Sequence, residues 1–140
     1  MSALWTNRLS VGNRIIDSAH KDILDIIMKI ALLIGERDGA ALTEAFKLLE
    51  NSLCAYFEVE EKFAHAINID FTKHKLSHQR LLHDFQCIKN ILEAKNGMWS
   101  EGEGGYFTNS WAKYFVQHIK DDGKQMKVVL ETHYYDFQPD

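Results

Sequence analysis

The sequence predicts an all-α protein, an antiparallel four-helix bundle with up-down-up-down topology. Apolar residues recur at spacings of three and four along four long segments, which is the period of a buried helix face. The single proline, Pro139, stands beside the C-terminus, so no interior proline interrupts a helix. Helices of about 20 residues are about 30 Å long, and short links between them favour antiparallel packing.

The predicted helices are separated by turn-forming residues. Asp17 or Ser18 is expected to cap the first helix, because both residue types are good N-caps. Four glycines in the segment 96–105 predict a loop, and Gly123 is expected to end or loosen the last helix. The approximate helix ranges are 17–36, 40–65, 72–95 and 108 to at least 122.

The composition indicates one globular domain spanning residues 1–140. Hydrophobic residues make up 46% and charged residues 26% of the chain, the usual balance for a domain that buries a core. The net charge is −4 and no run of Lys and Arg is present, so we expect no nucleic-acid partner. The chain also lacks a phosphate-binding loop and a dinucleotide-binding fingerprint.

We expect a cytoplasmic protein. Residues 6–8, Thr-Asn-Arg, are polar where a signal peptide would need an apolar core. The most apolar stretch is interrupted by Asp25 and Lys29, so we expect no membrane span. Cys54 and Cys87 form neither a CxxC motif nor a disulfide framework, which fits a reducing compartment, and we expect both to be buried apolar fillers.

Each predicted helix carries an inward apolar stripe, and polar residues interrupt the stripes at several positions. An unpaired polar group in a protein core costs roughly 2–7 kcal/mol, and a lone carboxylate costs far more. A bound metal removes this cost, because imidazole and carboxylate groups are ligands of iron, zinc, copper and manganese. The candidate metal ligands are His20, Tyr56, Glu60, His74, His78, His118 and Asp122.

The spacing of these candidates also favours a metal site. Most of them form pairs four residues apart, which places both members of a pair on the same side of a helix. The pairs are Tyr56 with Glu60, His74 with His78, and His118 with Asp122. This number of donors exceeds the four ligands of a zinc site and suits two metals bridged by carboxylates. A single core histidine is more often a hydrogen-bonded core residue, but the set as a whole argues against that interpretation.

Other aromatic and histidine side chains are expected to play no part in ligation. Phe57, Trp111 and Tyr114 are expected to form apolar walls that limit the access of water. The histidines outside the stripes are expected on the surface, and these are His65, His83 and His133.

Four motifs of the chain resemble those of the hemerythrins, specifically the single-domain bacterial hemerythrins, over nearly the whole length. Residues 5–21 contain LSVG followed by IDSAHK, which is similar to the first motif of that family. Residues 57–61, FEVEE, are similar to the His-Phe-x-x-Glu-Glu motif, and residues 74–78, HKLSH, fit its HxxxH motif. Residues 111–119 loosely resemble its Trp-Leu-x-x-His-Ile motif.

The resemblance implies a four-helix bundle that holds two non-heme irons, ferrous or ferric, and binds O2 reversibly at the second iron. By resemblance, the second iron would take His20 and the second-helix residue Tyr56. Glu60 and an aspartate of the fourth helix would bridge the two irons. The ligands of the first iron would be His74, His78 and His118.

Two positions depart from the family pattern. The family has histidine at the position of Tyr56 and aspartate at the position of Gly123, five residues after His118. Asp122 is expected to be the bridge, because a residue four positions after His118 faces the same side of the helix. Asp121 and loss of the bridge are the alternatives.

Tyr56 leaves three interpretations open. As a ligand, its phenolate would favour ferric iron, which would weaken reversible O2 binding and favour peroxide, oxidase or sensing chemistry. As a non-ligand, its hydroxyl would be placed to donate a hydrogen bond to a bound oxidant. If the second site is too weak, the chain holds one metal or none and serves as a binding or signalling module. We expect the protein to be a carrier, store or sensor of O2, and a redox enzyme is the alternative. The sequence is also compatible with an oligomer or with a protein partner.

Overall fold

The computed structural model describes residues 5–96 and 98–139, except for the side chains of Glu101 and Asp122. Four long helices follow a short 3₁₀ turn, Asn7–Leu9, and the described residues contain no β-strand. The prediction of an all-α protein with four helices is confirmed. The helices are α1 (Arg14–Glu36), α2 (Gly39–Ala66), α3 (Thr72–Ala94) and α4 (Glu101–Leu130).

Helix α1 begins before the expected position. The side-chain oxygen of Asn13 accepts hydrogen bonds from the backbone N–H groups of Ile15 and Ile16, so Asn13 is the N-cap. The prediction that Asp17 or Ser18 caps this helix is therefore wrong. The buried Asp17 carboxylate instead accepts from the Ser10 hydroxyl and from the backbone N–H of Val11, at 2.5 and 2.9 Å. It fastens the N-terminal segment to the first turn of α1.

Helix α4 begins inside the segment that was predicted to be a loop. Ser100 and Glu103 form a capping box, in which each side chain accepts from the backbone N–H of the other residue. Gly104 lies in the first turns of α4 against Ile34 of α1, and a β-carbon built on it would lie 2.2 Å from Ile34 Cγ2. The prediction of a loop to residue 105 is wrong, because glycine serves here for close helix packing rather than for a turn.

Gly123 also lies within α4, which continues to Leu130. A β-carbon on Gly123 would lie 3.1 Å from Val11 Cγ1, so the glycine leaves room for the N-terminal segment. Gly123 was expected to end or loosen the helix, and the first of these alternatives is wrong, because this glycine, like Gly104, serves for close packing.

The predicted stripes of α1 and α2 are confirmed as core. Every residue of these two stripes is buried: Ile16, His20, Ile23, Ile27, Ile30 and Ile34 on α1, and Phe46, Leu49, Leu53, Tyr56, Glu60 and Phe63 on α2 with Ile67 directly after it. On α4, however, Tyr114 is 39% exposed and Phe115 is fully buried in its place, so the prediction that Tyr114 forms a core wall is wrong. Phe115 lies four residues after the buried Trp111, which keeps it on the inward face.

Both cysteines and two of the three histidines outside the predicted stripes are exposed. Cys54 and Cys87 are exposed free thiols, so the prediction that they fill the interior is wrong. His65 and His83 are exposed as predicted. His133 is half-buried instead, with its ring 4.4 Å from that of Phe137.

The segment after α4 returns to the start of α1. The backbone carbonyl of Tyr135 accepts from the N–H of Arg14, and that of Phe137 accepts from the Asn13 side-chain amide. Helix α1 packs against α2 and α4, and α2 packs against α3. Within the described ranges, every helix is too short or too polar to cross a membrane.

Candidate metal centre

A buried cluster of one carboxylate and two imidazoles lies where α2, α3 and α4 meet. Glu60 comes from α2, His78 from α3 and His118 from α4, and their ligand atoms all lie within 4.8 Å of one another. Glu60 Oε2 is 3.5 Å from His78 Nε2, and Glu60 Oε1 is 3.9 Å from His74 Nδ1. The structure therefore brings four of the predicted ligands to one level of the core.

The carboxylate of Glu60 is fully buried, and a bound cation would stabilise its negative charge. Its side chain is 0% exposed, and neither carboxylate oxygen accepts a hydrogen bond from any of the residues that the structure describes. A carboxylate in an apolar interior is costly unless a counter-charge or several donors stabilise it. Imidazole nitrogens at 3.5 to 3.9 Å lie beyond ordinary hydrogen-bond length but at a separation that a metal ion between the groups would bridge. The cluster is a potential metal-binding site.

The histidine of α4 is oriented by a hydroxyl from α3. Ser77 Oγ lies 3.4 Å from His118 Nδ1, and the Phe115 ring stacks on the imidazole at 5.6 Å between centroids. With Nδ1 protonated and donating to Ser77 Oγ, Nε2 of His118 is the nitrogen left to bind a metal, which is the usual arrangement around ligating histidines. The sequence analysis missed Ser77, although its place between His74 and His78 could have indicated it.

Aromatic rings fix the two histidines of α3 and separate them from water. The Phe57 ring stacks on His78 at 3.8 Å with an angle of 12° between the planes, as expected for an apolar wall. Phe71 lies with its ring centroid 5.4 Å from the rings of both His74 and His78. These contacts restrict the imidazoles to the orientation that faces Glu60.

His20 of α1 and Tyr56 of α2 form a buried pair beside the cluster. Tyr56 Oη is 2.8 Å from His20 Nε2. The Tyr56 ring centroid is 6.2 Å from that of His78 and 6.4 Å from that of His118, so the pair borders the cluster directly. The 2.8 Å separation fits a hydrogen bond, and it also equals the spacing of two adjacent ligands on one metal with bonds of about 2.0–2.1 Å.

Of the two candidate aspartates of α4, only Asp121 has a side chain that the structure describes. The side chain of Asp122 lies outside the described residues, so its predicted role as a bridge stays a prediction. Asp121 is exposed and accepts a hydrogen bond from the Gln117 amide at 2.9 Å, which directs it along the helix surface. Gly123, five residues after His118, lies against Val11.

Comparison of the chain with protein-family models, with curated proteins and with solved structures gave no match. The geometry alone therefore defines the class: a four-helix protein with a potential metal centre of histidine and glutamate in its core.

Proposed function

We propose that this chain is a hemerythrin-like, non-heme di-iron protein that binds O2 or a related small oxidant. The proposal depends on one observation, the fully buried Glu60 carboxylate that faces His78 and His118 without accepting a hydrogen bond from any described residue. A carboxylate with several imidazoles suits iron. The motifs of the sequence that resemble the hemerythrins make iron the first metal to test.

The proposed ligand sets follow the resemblance. His20 and Tyr56 would hold the second iron, and Glu60 would bridge together with Asp122. When bound, the iron pair supplies electrons and an open coordination position for a small oxidant. The first iron would be held by His74, His78 and His118.

The residues of the chain would keep this centre dry and oriented. Phe57, Phe71 and Phe115 pack on the histidine rings and exclude water. Neutral Tyr56 shares a hydrogen bond with His20 Nε2, and it donates the proton when His20 carries its own proton on Nδ1. As a phenolate, it would be a hard anionic donor that favours ferric iron. Ligation by Tyr56 would thus support a second candidate function, a peroxide or oxidase type of redox enzyme, because reversible O2 binding needs the ferrous state.

The proposal also includes the topology of the bundle and the compartment of the protein. The links between α1 and α2 and between α2 and α3 are short, which supports an antiparallel up-down-up-down arrangement. The exposed free thiols of Cys54 and Cys87 support a reducing compartment such as the cytoplasm.

The first experiment is metal analysis of protein that is expressed with ample iron. We expect two iron ions per chain and a visible phenolate-to-iron(III) charge-transfer band. Tyr56→Phe should abolish the band, and Tyr106→Phe, which alters an exposed tyrosine on α4, should leave it unchanged. Absence of bound iron in the wild type would contradict the proposal. Two irons with a band that survives Tyr56→Phe would show that Tyr56 is not a ligand.

O2 binding needs its own test, made on the reduced, iron-loaded protein under anaerobic conditions. A carrier should change its spectrum when O2 is admitted and recover the reduced spectrum when O2 is removed. Irreversible oxidation with turnover of peroxide would favour the redox enzyme.

A further inference from the structure

A polar groove between α3 and α4 reaches the candidate metal centre. Its volume is about 620 Å³, and it is lined by His118, one of the three residues of the buried cluster. Ser77 lines the groove beside it, with Oγ 3.4 Å from His118 Nδ1. When that nitrogen donates to Ser77, the hydroxyl proton of Ser77 is left for a molecule in the groove. We call this cavity the His118 groove.

Most of the polar groups that line the His118 groove can donate a hydrogen bond. Ser110 and Tyr114 contribute hydroxyl groups, and Lys113 contributes an ammonium group. Gln117 contributes an amide, which donates to the carboxylate of Asp121 at 2.9 Å. Hydrogen bonds from such donors are strongest when the acceptor is negatively charged. The lining therefore suits an anion.

Four lysines form a ridge along the solvent side of α4. Their spacings of seven, four and three residues place them on one side of the helix, over a length of about 21 Å. All four are exposed, and they are Lys113, Lys120, Lys124 and Lys127. The described lysines that form ion pairs with carboxylates are others, namely Lys47, Lys89 and Lys95. The ridge therefore carries positive charge in a chain whose net charge is −4.

Negative groups near the His118 groove are matched by positive ones. Asp121 lines the groove, but Lys120 precedes it and Lys124 follows it by one helical turn. On α3, Arg80 and Asp84 act with opposite sign on the tyrosine hydroxyl of the groove, so their charges offset each other. The lysine ridge consequently leaves an excess of positive charge beside the mouth of the groove.

We propose that the His118 groove admits a small monovalent anion, which the lysine ridge of α4 attracts to the mouth. Charge of one sign around a cleft concentrates ions of the opposite sign and speeds their association. Because a candidate metal ligand lines the groove, the anion arrives beside the centre. The preference for anions needs no metal, and only delivery of the anion to iron rests on the proposed function.

The first test measures the electrostatic potential of the groove in the metal-free full chain. Ser110→Cys places one thiol in the groove when Cys54→Ser and Cys87→Ser remove the native thiols. The probes are the anionic sulfonatoethyl and the cationic trimethylammonioethyl methanethiosulfonates, and N-acetylcysteine amide is the uncharged model thiol. At low salt, the ratio of anionic to cationic labelling rates should exceed that of the model thiol at least about threefold. Native Cys54 should fall below the model thiol, because Glu50 and Glu58 lie beside it.

Charge variants make the labelling test specific. Lys113→Gln with Lys124→Gln, which we call the groove variant, should lower the ratio by about threefold. Lys29→Gln with Lys62→Gln is the matched control, because it removes the same charge from exposed lysines of α1 and α2. This control should leave the ratio nearly unchanged. Asp121→Asn removes a negative charge from the groove and should raise the ratio.

The second test uses the iron-loaded, oxidised full chain with azide as the probe. The association rate, followed by stopped-flow absorbance, should be about threefold lower in the groove variant than in the wild type. Added salt should slow association with the wild type and reduce this difference, because it screens the lysines. The dissociation rate should be the same in both proteins, since the ridge acts on the approach of the anion.

Three outcomes would overturn the proposal. The first is a groove thiol that favours the anionic reagent no more than the model thiol does. The second is a matched control that lowers the labelling ratio as much as the groove variant. The third is azide that associates equally fast with the iron-loaded wild type and the groove variant. Protein without iron contradicts the proposed function alone, because the labelling experiment still decides whether the groove favours anions.

Discussion

Gly104 of α4 lies so close to Ile34 of α1 that a methyl group on the glycine would sit 2.2 Å from Ile34 Cγ2. Real β-carbons do not approach other atoms at this distance. The contact therefore fixes how near the start of α4 comes to the end of α1. The glycine that signalled a loop in the sequence is a packing residue in the fold.

We predict that Gly104→Ala destabilises the protein and that Gly105→Ala does not. The added methyl group at residue 104 must displace Ile34, and overpacking of this kind costs about 1–3 kcal/mol. A β-carbon at Gly105 meets nothing within 4 Å, so alanine there should stabilise the helix by about 0.5–1 kcal/mol. Urea denaturation of both variants measures the difference. Equal stabilities would contradict the close approach of the two helices.

We predict that Fe²⁺ stabilises the folded wild type and that Glu60→Gln removes most of this effect. A ligand that binds only the folded state adds about 2.7 kcal/mol at a hundredfold excess over its dissociation constant. Glutamine keeps the shape of Glu60 but loses the anionic charge. Thermal melts under anaerobic conditions, with and without Fe²⁺, measure the gain.

Glu61→Gln is the control for this experiment, because Glu61 is the exposed neighbour of Glu60 on the same helix. It changes the net charge by the same amount and should keep the full gain in melting temperature. Equal gains for the two variants would show that Glu60 does not ligate the metal.

We predict that Asp70 stabilises the protein at neutral pH but not in acid. Its carboxylate accepts hydrogen bonds from the backbone N–H and the hydroxyl of Thr72, which lower the pKa of Asp70, and Lys73 lowers it further. Because the folded pKa is lowered, the stabilisation is present above the ordinary aspartate pKa of about 3.9 and is lost as pH falls through the folded pKa. Asp70→Ala should therefore melt below the wild type at pH 7, and the two should converge in acid.

Asp70→Asn separates the charge of Asp70 from its shape. The amide oxygen of the introduced asparagine can still accept from Thr72, but it does not titrate. The usual pKa values of aspartate lie between about 2 and 5, so this is the pH range to compare. Within it, the stability of the Asp70→Asn variant should depend less on pH than that of the wild type. A wild type and an Asp70→Asn variant with identical pH dependence would contradict the prediction.

We predict that Cys54 alkylates slowly in the native protein. Partial burial raises the pKa of its thiol, and the carboxylates of Glu50 and Glu58 raise it further. The thiolate is the reactive form, so the midpoint of the rate of iodoacetamide labelling against pH should lie above the ordinary cysteine value of about 8.5. Glu58→Gln should lower that midpoint. An unchanged midpoint would show that the glutamate charge does not act on the thiol.

The helical class and most of the core were predictable from the sequence. The stripes of α1 and α2 gave the buried residues correctly because a period of three to four positions depends only on the local geometry of a helix. The same stripes indicated Glu60, His74, His78 and His118 as polar residues that share one level of the core. Local geometry did not, however, distinguish Tyr114 from Phe115, because positions three and four residues after Trp111 both fit a helical stripe.

By itself, the sequence determined the helical class, the number of helices and the polar residues of the core, since these depend on the order of residues along one helix. The tertiary structure alone decided that Gly104 and Gly123 continue α4, because the role of a glycine depends on which residue faces it. It also decided that Tyr56 meets His20 and that Ser77 of α3 lies beside His118 of α4. These relationships join residues that are distant along the chain, and only packing of the helices brings them together.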